Sequence, residues 1–184
     1  MQIEYSLRIP FTESDLISAC ICQERWAQQL LYETHYGALM AVCLRYSRSE
    51  DEAVDLLHEG FIKIFTQLHK YQPDTALAAW MKRVMVNNCI DFYRKQVRQR
   101  TMEITEADQL HSPDADAISQ YSEKEILDSV RKLPPAYRTI FNMYVIEGFS
   151  HKEIGEKMNI TESTSRSNLV KARLKLKEFL TGNK

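Results

Sequence analysis

Glycine and proline are scarce in this chain, whose 184 residues contain five of each. Tight β-turns depend on these residues, and alternating polar and apolar stretches are also missing, so the sequence argues against a β-rich fold. No apolar run approaches the roughly 20 residues needed to span a bilayer. The N-terminus lacks the basic start and apolar stretch of a secretory signal. We therefore predict an all-α, cytoplasmic protein with no membrane insertion.

Cysteine is also infrequent, and the four residues do not form a zinc-binding pattern. They are Cys20, Cys22, Cys43 and Cys89. The paired C-x-x-C spacing of structural zinc sites is missing, and reduced thiols are the simple interpretation. Cys20 and Cys22 could join His35 or His58 in a metal site, but their spacing does not favour it. We expect no metal and no cofactor.

The chain also lacks an excess of either charge, because its 24 Lys and Arg residues nearly balance its 25 Asp and Glu residues. Net charge therefore gives no indication of nucleic-acid binding, and only its distribution can. Residues 81–100 and 166–177 are basic, whereas 101–120 is acidic and poor in large apolar residues, as in a flexible linker. We predict two small helical domains, at 1–100 and 121–184, joined by a linker at 101–120.

Three helices are predicted in the first domain beyond Trp26, from apolar residues at helical spacing. Ser49 is a favourable cap for the second helix, which has an acidic first turn and ends before Pro73. The third helix runs from about Leu77 to about Arg98 and carries much of the basic charge. Its predicted inward stripe is Met81, Val84, Met85, Asn88 and Phe92.

The segment 147–173 has the pattern of a helix-turn-helix. Ser150 and Glu153 have the spacing of a capping box, and Thr161 can cap the second helix. Ile160 can fill the corner between the helices. The predicted inward stripe of the second helix is Leu169, Ala172, Leu176 and Leu180, and its outward residues are Ser163, Ser165, Arg166, Ser167, Val170 and Lys171. We favour DNA binding in the major groove over a plain amphipathic hairpin.

Four motifs, in this order, resemble known transcription proteins. The stretches 52–65 (EAVDLLHEGFIKIF) and 79–95 (AWMKRVMVNNCIDFYRK) resemble region 2 of bacterial RNA polymerase sigma factors. The stretch 133–141 (LPPAYRTIF) and the helix-turn-helix resemble region 4. Because a short linker joins the two regions directly, the chain resembles the extracytoplasmic-function subgroup, group IV.

The resemblance implies an alternative sigma factor that binds core RNA polymerase and directs promoter recognition, DNA melting and transcription initiation. Polymerase-binding residues, docking on the clamp helices of the largest subunit, would be Asp55, Leu56, Glu59 and Phe61. Region 4 would contact the flap. Residues binding the −10 element would be Asn87, Asn88, Arg83, Arg94, Lys95 and Arg98. Residues binding the −35 element would be Arg166, Ser167, Val170, Lys171 and Arg173.

Further expectations follow from the same resemblance. The loop 67–75 would hold a flipped base of the non-template strand, and the linker would run toward the polymerase active-site cleft. An anti-sigma factor would be an additional partner. The sequence departs from the family pattern in three ways: His58 stands where glutamine is frequent, residues 76–78 are more apolar than the usual loop before the tryptophan, and 161–167 lacks the common glycine at the start of the recognition helix.

Two alternatives belong to other functional classes. A stand-alone helix-turn-helix regulator would need only the C-terminal motif and would bind its site without polymerase. A metal-dependent nuclease would use the carboxylates Glu50, Asp51, Asp55 and Glu59, but helical geometry spreads these around the helix, and acidic first turns are favourable in any helix. We therefore predict that the chain is not an enzyme and has no catalytic residues.

Overall fold

The computed structural model describes residues 12–100 and 122–182, and within these ranges the regular structure is helical. This confirms the all-α prediction. The N-terminal group contains α1 (Glu13–Ile21), α2 (Arg25–Tyr46), α3 (Glu50–Gln67), a 3₁₀ turn (Leu68–Lys70) and α4 (Leu77–Arg100). The C-terminal group contains α5 (Glu123–Lys132), α6 (Pro135–Phe141), a π-helical segment (Asn142–Ile146), α7 (His151–Met158) and α8 (Glu162–Thr181). The predicted linker and the side chain of Arg98 lie outside the described residues.

The N-terminal group is built around α3, which packs against both α2 and α4. The predicted cap is confirmed, because the backbone N–H of Glu52 donates to Ser49 Oγ at 3.2 Å. Leu31, Ile64 and Met81 are fully buried between these helices. Burial of such side chains contributes about 1.5–3 kcal/mol each to folding, so this apolar core holds the surfaces of α3 and α4 in place.

A glycine allows α3 and α4 to approach closely. A Cβ atom on Gly60 would lie 2.3 Å from Sδ and 2.4 Å from Cε of Met85, far inside van der Waals contact. Asn88 Nδ2 is the next nearest atom, at 3.6 Å. A side chain at position 60 would therefore require the end of Met85 to move.

The C-terminal group is organised by α8, which packs against α5, α6 and α7. The predicted inward stripe of α8 is confirmed: Leu169, Ala172, Leu176 and Leu180 are all buried. Pro135 occupies the first turn of α6, where its missing N–H costs nothing. After the π-helical segment the chain turns at Gly148, whose φ of 75° glycine adopts without strain. This turn sets the entry into the helix-turn-helix.

The two groups pack against each other, α5 and α6 against α2, and α6 and α7 against α4. Their buried apolar residues form one continuous cluster. The sequence indicated two units on a tether and gave no sign of this contact. The division at 1–100, 101–120 and 121–184 stays a prediction. None of the described helices is long and apolar enough to span a membrane.

Candidate nucleic-acid and polymerase interfaces

The helix-turn-helix is fixed by caps at the start of both helices. Glu153 N–H donates to Ser150 Oγ at 3.2 Å, and Ser150 N–H donates to the Glu153 carboxylate at 2.8 Å. These bonds confirm the predicted capping box. Hydrogen bonds that the Ser150 hydroxyl, at 2.7 Å, and the Ser150 N–H donate to the Glu153 carboxylate hold the pKa of this carboxyl below its usual range. Thr161 caps α8 by accepting from Thr164 N–H at 3.0 Å, also as predicted. Ile160 packs against the core at the corner between the helices.

The turn between α7 and α8 contains an asparagine in the left-handed conformation. Asn159 ends α7 with φ 57° and ψ 47°. Asparagine is among the few non-glycine residues that adopt this conformation readily. Gly155 completes the turn, because a Cβ atom there would lie 2.9 Å from the carbonyl oxygen of Ile160. The turn therefore depends on two residues. Asn159 adopts the left-handed conformation, and Gly155 lets the Ile160 carbonyl approach α7 closely.

We expect Asn159→Ala to destabilise the protein by roughly 1–2 kcal/mol, because alanine has a Cβ atom that disfavours positive φ and lacks the polar side chain with which asparagine compensates. In a chain of this size this lowers the melting temperature by about 2–8 °C. The matched variant Asn159→Gly should be neutral or slightly stabilising, since glycine accepts this conformation without strain. Thermal unfolding followed by circular dichroism measures both. Equal melting temperatures for the two variants would contradict the role of the left-handed backbone.

The outward face of α8 carries most of the residues predicted for the −35 element. Arg166, Ser167 and Arg173 are exposed, and Val170 and Lys171 are half-buried at the edges of this face. Arg166 forms an ion pair with Glu162 one turn earlier, and Ser167 Oγ donates to the Thr164 carbonyl at 3.1 Å. Exposed ion pairs of this kind are weak, about 0.3–0.5 kcal/mol, so Arg166 can exchange Glu162 for another anion.

Ser165 corrects the sequence analysis, which placed it on the outward face. It is fully buried, and its Oγ lies 2.9 Å from Nδ1 of His151. The His151 ring also stacks on Tyr144, with ring centroids 4.3 Å apart. Burial is the main cause that lowers the pKa of His151, and the charge of Arg166 adds to it. The pair joins the start of α7 to α8 and fixes the orientation of the recognition helix.

The basic face of α4 holds the residues predicted for the −10 element. Arg83 and Lys95 are exposed, and Arg94 lies 3.9 Å from Asp91. Asp91 also pairs with Lys63 of α3 at 3.3 Å. Asn87 is half-buried, and its Oδ1 accepts a hydrogen bond from Lys157 Nζ of α7 at 3.1 Å. In this structure the Asn87 amide oxygen is thus engaged by the C-terminal group.

Asn88 requires a correction, because the structure places it in the core and not on the DNA-facing surface. Its side chain is 1% exposed, and its Nδ2 donates to the Leu56 carbonyl of α3 at 2.9 Å. An amide that bonds a neighbouring helix from inside the core cannot also reach a base edge. Asn88 links α3 to α4, and we remove it from the set of DNA-binding residues.

The outer rim of α3 is the candidate polymerase surface. Asp55 and Glu59 are exposed, one helical turn apart, together with His58. Ile62 continues the same face and is 65% exposed. The sequence analysis missed Ile62, although its spacing of seven from Asp55 places both on one side of a helix. The rim therefore combines two carboxylates with an exposed apolar side chain.

Two residues predicted for polymerase binding lie on the buried side of α3 and not on its exposed rim. Leu56 and Phe61 are 1% and 3% exposed, and the Phe61 ring packs on Tyr32 with centroids 4.5 Å apart. Their helical positions face α2 and α4, where burial of large apolar side chains stabilises the bundle. They support the rim from the core, and this is a correction to their assignment as contact residues.

The loop before α4 is held by aromatic contacts. Tyr71 Oη donates to the Thr75 carbonyl at 2.5 Å, and its ring meets Trp80 edge-on with centroids 5.7 Å apart. Trp80 is half-buried and packs against the core. The exposed residues 72–76 protrude between these anchors. The proposed base-holding role of this loop stays a prediction.

Sequence reasoning also missed two buried or partly buried charged residues, Glu147 and Arg138. Glu147 is buried between Arg45 and Lys82, and Arg138 donates from Nη1 to the Arg131 carbonyl at 2.9 Å. Burial lowers the pKa of Arg138 to about 10. Only the LPPAYR motif offered a signal for Arg138. Nothing local could reveal that Glu147 would meet helices some 65–100 residues earlier in the chain.

Comparisons with known families match both halves of the chain. The family model for sigma-70 region 2 matches residues 31–99, and that for sigma-70 region 4 matches residues 123–176. The RNA polymerase sigma factor SigZ of Bacillus subtilis is 31% identical over 140 residues, covering 73% of this chain and 77% of the relative. The ECF RNA polymerase sigma factor SigE of Mycolicibacterium smegmatis is 28% identical, covering 82% of this chain but only 60% of the relative.

Among solved structures, the chain is similar to the sigma factor RpoE in complex with the anti-sigma factor NepR from Bartonella quintana. It shows a TM-score of 0.49 at 19% identity and covers 85% of this chain and 98% of that one. The two matched regions and the SigZ relative define the class of protein. The chain belongs to the sigma-70 family of RNA polymerase sigma factors, in its extracytoplasmic-function group. As a sigma factor it directs promoter recognition and transcription initiation.

Proposed function

We propose that three separate surfaces divide the work of this sigma factor. The rim of α3 (Asp55, His58, Glu59 and Ile62) binds core RNA polymerase. The basic face of α4 (Arg83, Asn87, Arg94 and Lys95, with Arg98) contacts the −10 element. The outward face of α8 (Arg166, Ser167, Val170, Lys171 and Arg173) contacts the −35 element. The observation that carries this proposal is the opposite charge of the surfaces: acidic on α3, basic on α4 and α8.

The composition of the α3 rim supports binding to a basic protein surface. Asp55 and Glu59 are exposed on a helix whose opposite side is fixed in the core, so little ordering is needed when a partner binds. Ile62 can be buried at the centre of such a contact, where apolar side chains contribute most. The clamp helices of the polymerase largest subunit, which the family resemblance names, are the partner we propose, and the flap is the partner of the C-terminal group.

The two basic faces support binding to DNA in two places. Arginine and lysine neutralise phosphates and position a protein on the duplex, while base contacts specify the sequence. Ser167 and the other small residues of α8 allow close approach to the major groove. Each face alone is small, so linking the two contacts through one chain and one polymerase raises the effective concentration of the second contact.

Other parts of the proposal concern location and partners. Because core polymerase is the partner, we propose that the chain acts in the cytoplasm, and that the chemistry of RNA synthesis belongs to the polymerase and not to this chain. An anti-sigma factor that covers the α3 rim and the face of α4 would compete with polymerase and promoter together. Such a partner is proposed from the family resemblance.

We expect Arg166→Ala to reduce promoter-specific transcription about 5- to 100-fold, because loss of one base or phosphate contact costs about 1–3 kcal/mol. Run-off transcription with core polymerase on a promoter library measures the effect, and affinity for core polymerase should stay unchanged. Arg25→Ala is the matched control, since Arg25 is exposed at the start of α2, away from the proposed surfaces.

The rival assignments give different results in the same assays. Undiminished transcription with Arg166→Ala would contradict the proposed −35 contact. A stand-alone regulator would bind a specific duplex tightly without polymerase, whereas a sigma factor needs polymerase for selective binding. Magnesium-dependent cleavage of DNA that is lost in Asp55→Ala would favour a nuclease instead.

A further inference from the structure

A cavity of about 400 Å³ lies between α2 and α4 of the N-terminal group. Pockets for small molecules have this size and a mostly apolar lining, with a few polar groups that fix the orientation of the ligand. None of the lining residues belongs to the three surfaces proposed above. The apolar lining residues are Ala38, Leu39, Val42, Ala78 and Ala79, and the polar ones are His35, Arg45 and Lys82.

The cavity exists because three of its lining residues are alanines. Ala38 lies on α2, and Ala78 and Ala79 lie in the first turn of α4. All three are exposed. Leu39 and Val42, in contrast, are 3% and 2% exposed, and so form the floor of the cavity. Because larger side chains at the alanine positions would fill this space, the alanines leave an apolar slot between the two helices.

The cavity is elongated, and its polar groups lie at its two ends. His35 and Arg45 are ten residues apart on α2, which corresponds to about 15 Å along the helix axis. Lys82 lies at the Arg45 end, because both residues contact the carboxylate of Glu147. The aliphatic lining residues of α2 lie between the two ends. A ligand that fits this shape has an elongated apolar body with a charged group at one end.

The charges at the Arg45 end favour a ligand with one negative charge. Arg45 Nη2 lies 3.4 Å from Glu147 Oε1, and Lys82 Nζ lies 2.8 Å from Glu147 Oε2. Two cations thus share one carboxylate. Arg45 Nε is also buried without a hydrogen-bond partner within the described ranges. A buried donor without an acceptor is unfavourable, so a ligand carboxylate that accepts from Arg45 Nε would form a strong, charge-assisted bond.

The opposite end of the cavity is polar but carries no positive charge at neutral pH. Burial lowers the pKa of His35, and the charge of Glu13 on α1 only partly opposes this effect. The imidazole is therefore neutral near pH 7. Since Glu13 acts on this end, a second anionic group is disfavoured here. The charged group of a ligand is thus directed to Arg45 and Lys82.

We propose that the cavity between α2 and α4 binds an amphipathic monocarboxylate of the medium-chain fatty acid class, with its carboxylate at Arg45 and Lys82 and its apolar chain along the alanines. Each methylene group that the slot removes from water increases the affinity about fourfold. The carboxylate accepts hydrogen bonds from the two cations and fixes the direction of the chain. A doubly charged phosphate exceeds the single positive charge that Glu147 leaves at this end.

Isothermal titration calorimetry of the full chain with decanoate, below its micelle-forming concentration, tests the site. We expect saturable binding of one decanoate per chain, and about 4- to 16-fold weaker binding of octanoate, which lacks two methylene groups. Octan-1-ol, which has the same chain length as octanoate without its charge, should bind more weakly than octanoate. Absence of saturable decanoate binding overturns the site, and octan-1-ol binding as tightly as octanoate overturns the role of the carboxylate.

Backbone amide chemical shifts locate the ligand within the chain. Decanoate should shift the amide resonances of residues 35–45 and 77–82 more than those of α7 and α8. Shifts confined to other parts of the chain would overturn the assignment to this cavity, even if the calorimetric binding is saturable.

Filling the slot tests its shape. We expect Ala38→Leu to weaken decanoate binding at least about tenfold, because the new side chain occupies the space of the ligand. Ala41→Leu is the matched control, since Ala41 is exposed on α2 and does not line the cavity. Leucine and alanine are both good helix formers, so both variants should keep the helix content of the wild type. Equal affinities of the two variants for decanoate overturn the proposal.

Removing one cation tests the charged end. Lys82→Met keeps most of the apolar stem and removes the charge, so we expect about tenfold weaker binding of decanoate and unchanged binding of octan-1-ol. Lys124→Met makes the same change at an exposed position on α5 and should leave both affinities unchanged. Decanoate binding to Lys82→Met as tight as to Lys124→Met overturns the placement of the carboxylate.

Discussion

Replacing Asp55 and Glu59 together by lysine is expected to reduce the affinity for core RNA polymerase on the order of 100-fold or more. Both carboxylates are exposed one turn apart on α3. Placing like charges opposite one another in an interface costs several kcal/mol, and lysines here would face a basic partner. Affinity for fluorescently labelled core polymerase, measured at two salt concentrations, shows the effect, which should diminish as salt increases.

The design of this experiment separates polymerase binding from folding and net charge. Glu24→Lys with Glu33→Lys makes the same change in charge at exposed positions before and on α2, and should keep the affinity within about twofold. Exposed substitutions alter stability little, so the melting temperature of both double variants should match the wild type. A similar loss of affinity in both double variants would mean that the α3 rim is not the polymerase surface.

Gly60→Val is expected to have the largest effect on stability, about 1–3 kcal/mol or more, because it overpacks the contact between α3 and α4. The new Cβ would lie 2.3 Å from Met85 Sδ. Methionine is flexible, but Met85 is 0% exposed, so its end can move only by displacing its neighbours within the core. At about 2–4 °C for each kcal/mol, the melting temperature should fall by roughly 2–12 °C.

Gly37→Val makes the same chemical change at an exposed position within α2. A Cβ atom at Gly37 would meet no atom within 4 Å. Because valine is a somewhat better helix former than glycine, this control should be neutral or slightly stabilising. Differential scanning calorimetry of the two variants compares them directly. A Gly60→Val protein as stable as Gly37→Val would show that α3 and α4 do not require a glycine between them.

The helices and their caps could be predicted from the sequence because their signals are local. Ser49, Ser150 and Thr161 each accept the backbone bond that their spacing predicted. The inward stripe of α8 was likewise predicted from helical periodicity alone. For these features, the residues that determine the structure lie within one or two turns of the residues that they affect.

The assignments to surface or core failed where residue type was given more weight than periodicity. Asn88 was placed in the inward stripe of α4 by its spacing, yet as an amide it was also assigned to DNA, and the structure buries it. Ser165 was assigned to the outer face because it is small and polar, but its hydroxyl is paired with His151 inside the motif. Leu56 and Phe61 followed the family pattern, which does not distinguish a contact residue from the core residue that supports it.

The contact between the two groups could not be predicted, since it depends on pairs far apart in the chain. Arg45 and Glu147, or Asn87 and Lys157, carry no mutual signal in a single sequence. Complementary charges occur at many exposed positions, and only the folded arrangement selects these pairs from the others. The proposed −10 face was therefore predicted as freely accessible, whereas Asn87 is engaged.

The π-helical segment Asn142–Ile146 sets the direction in which Glu147 points. Its wide turn is closed by a bond from Glu147 N–H to the Asn142 carbonyl at 3.0 Å, spanning five residues where an α-helix spans four. The additional residue rotates the positions of the residues that follow it by about 100° around the helix axis. A chain one residue shorter here would keep a regular helix but aim the carboxylate away from Arg45 and Lys82. The length of the π-helical segment, and not only the identity of its residues, thus determines whether Glu147 can contact the N-terminal group.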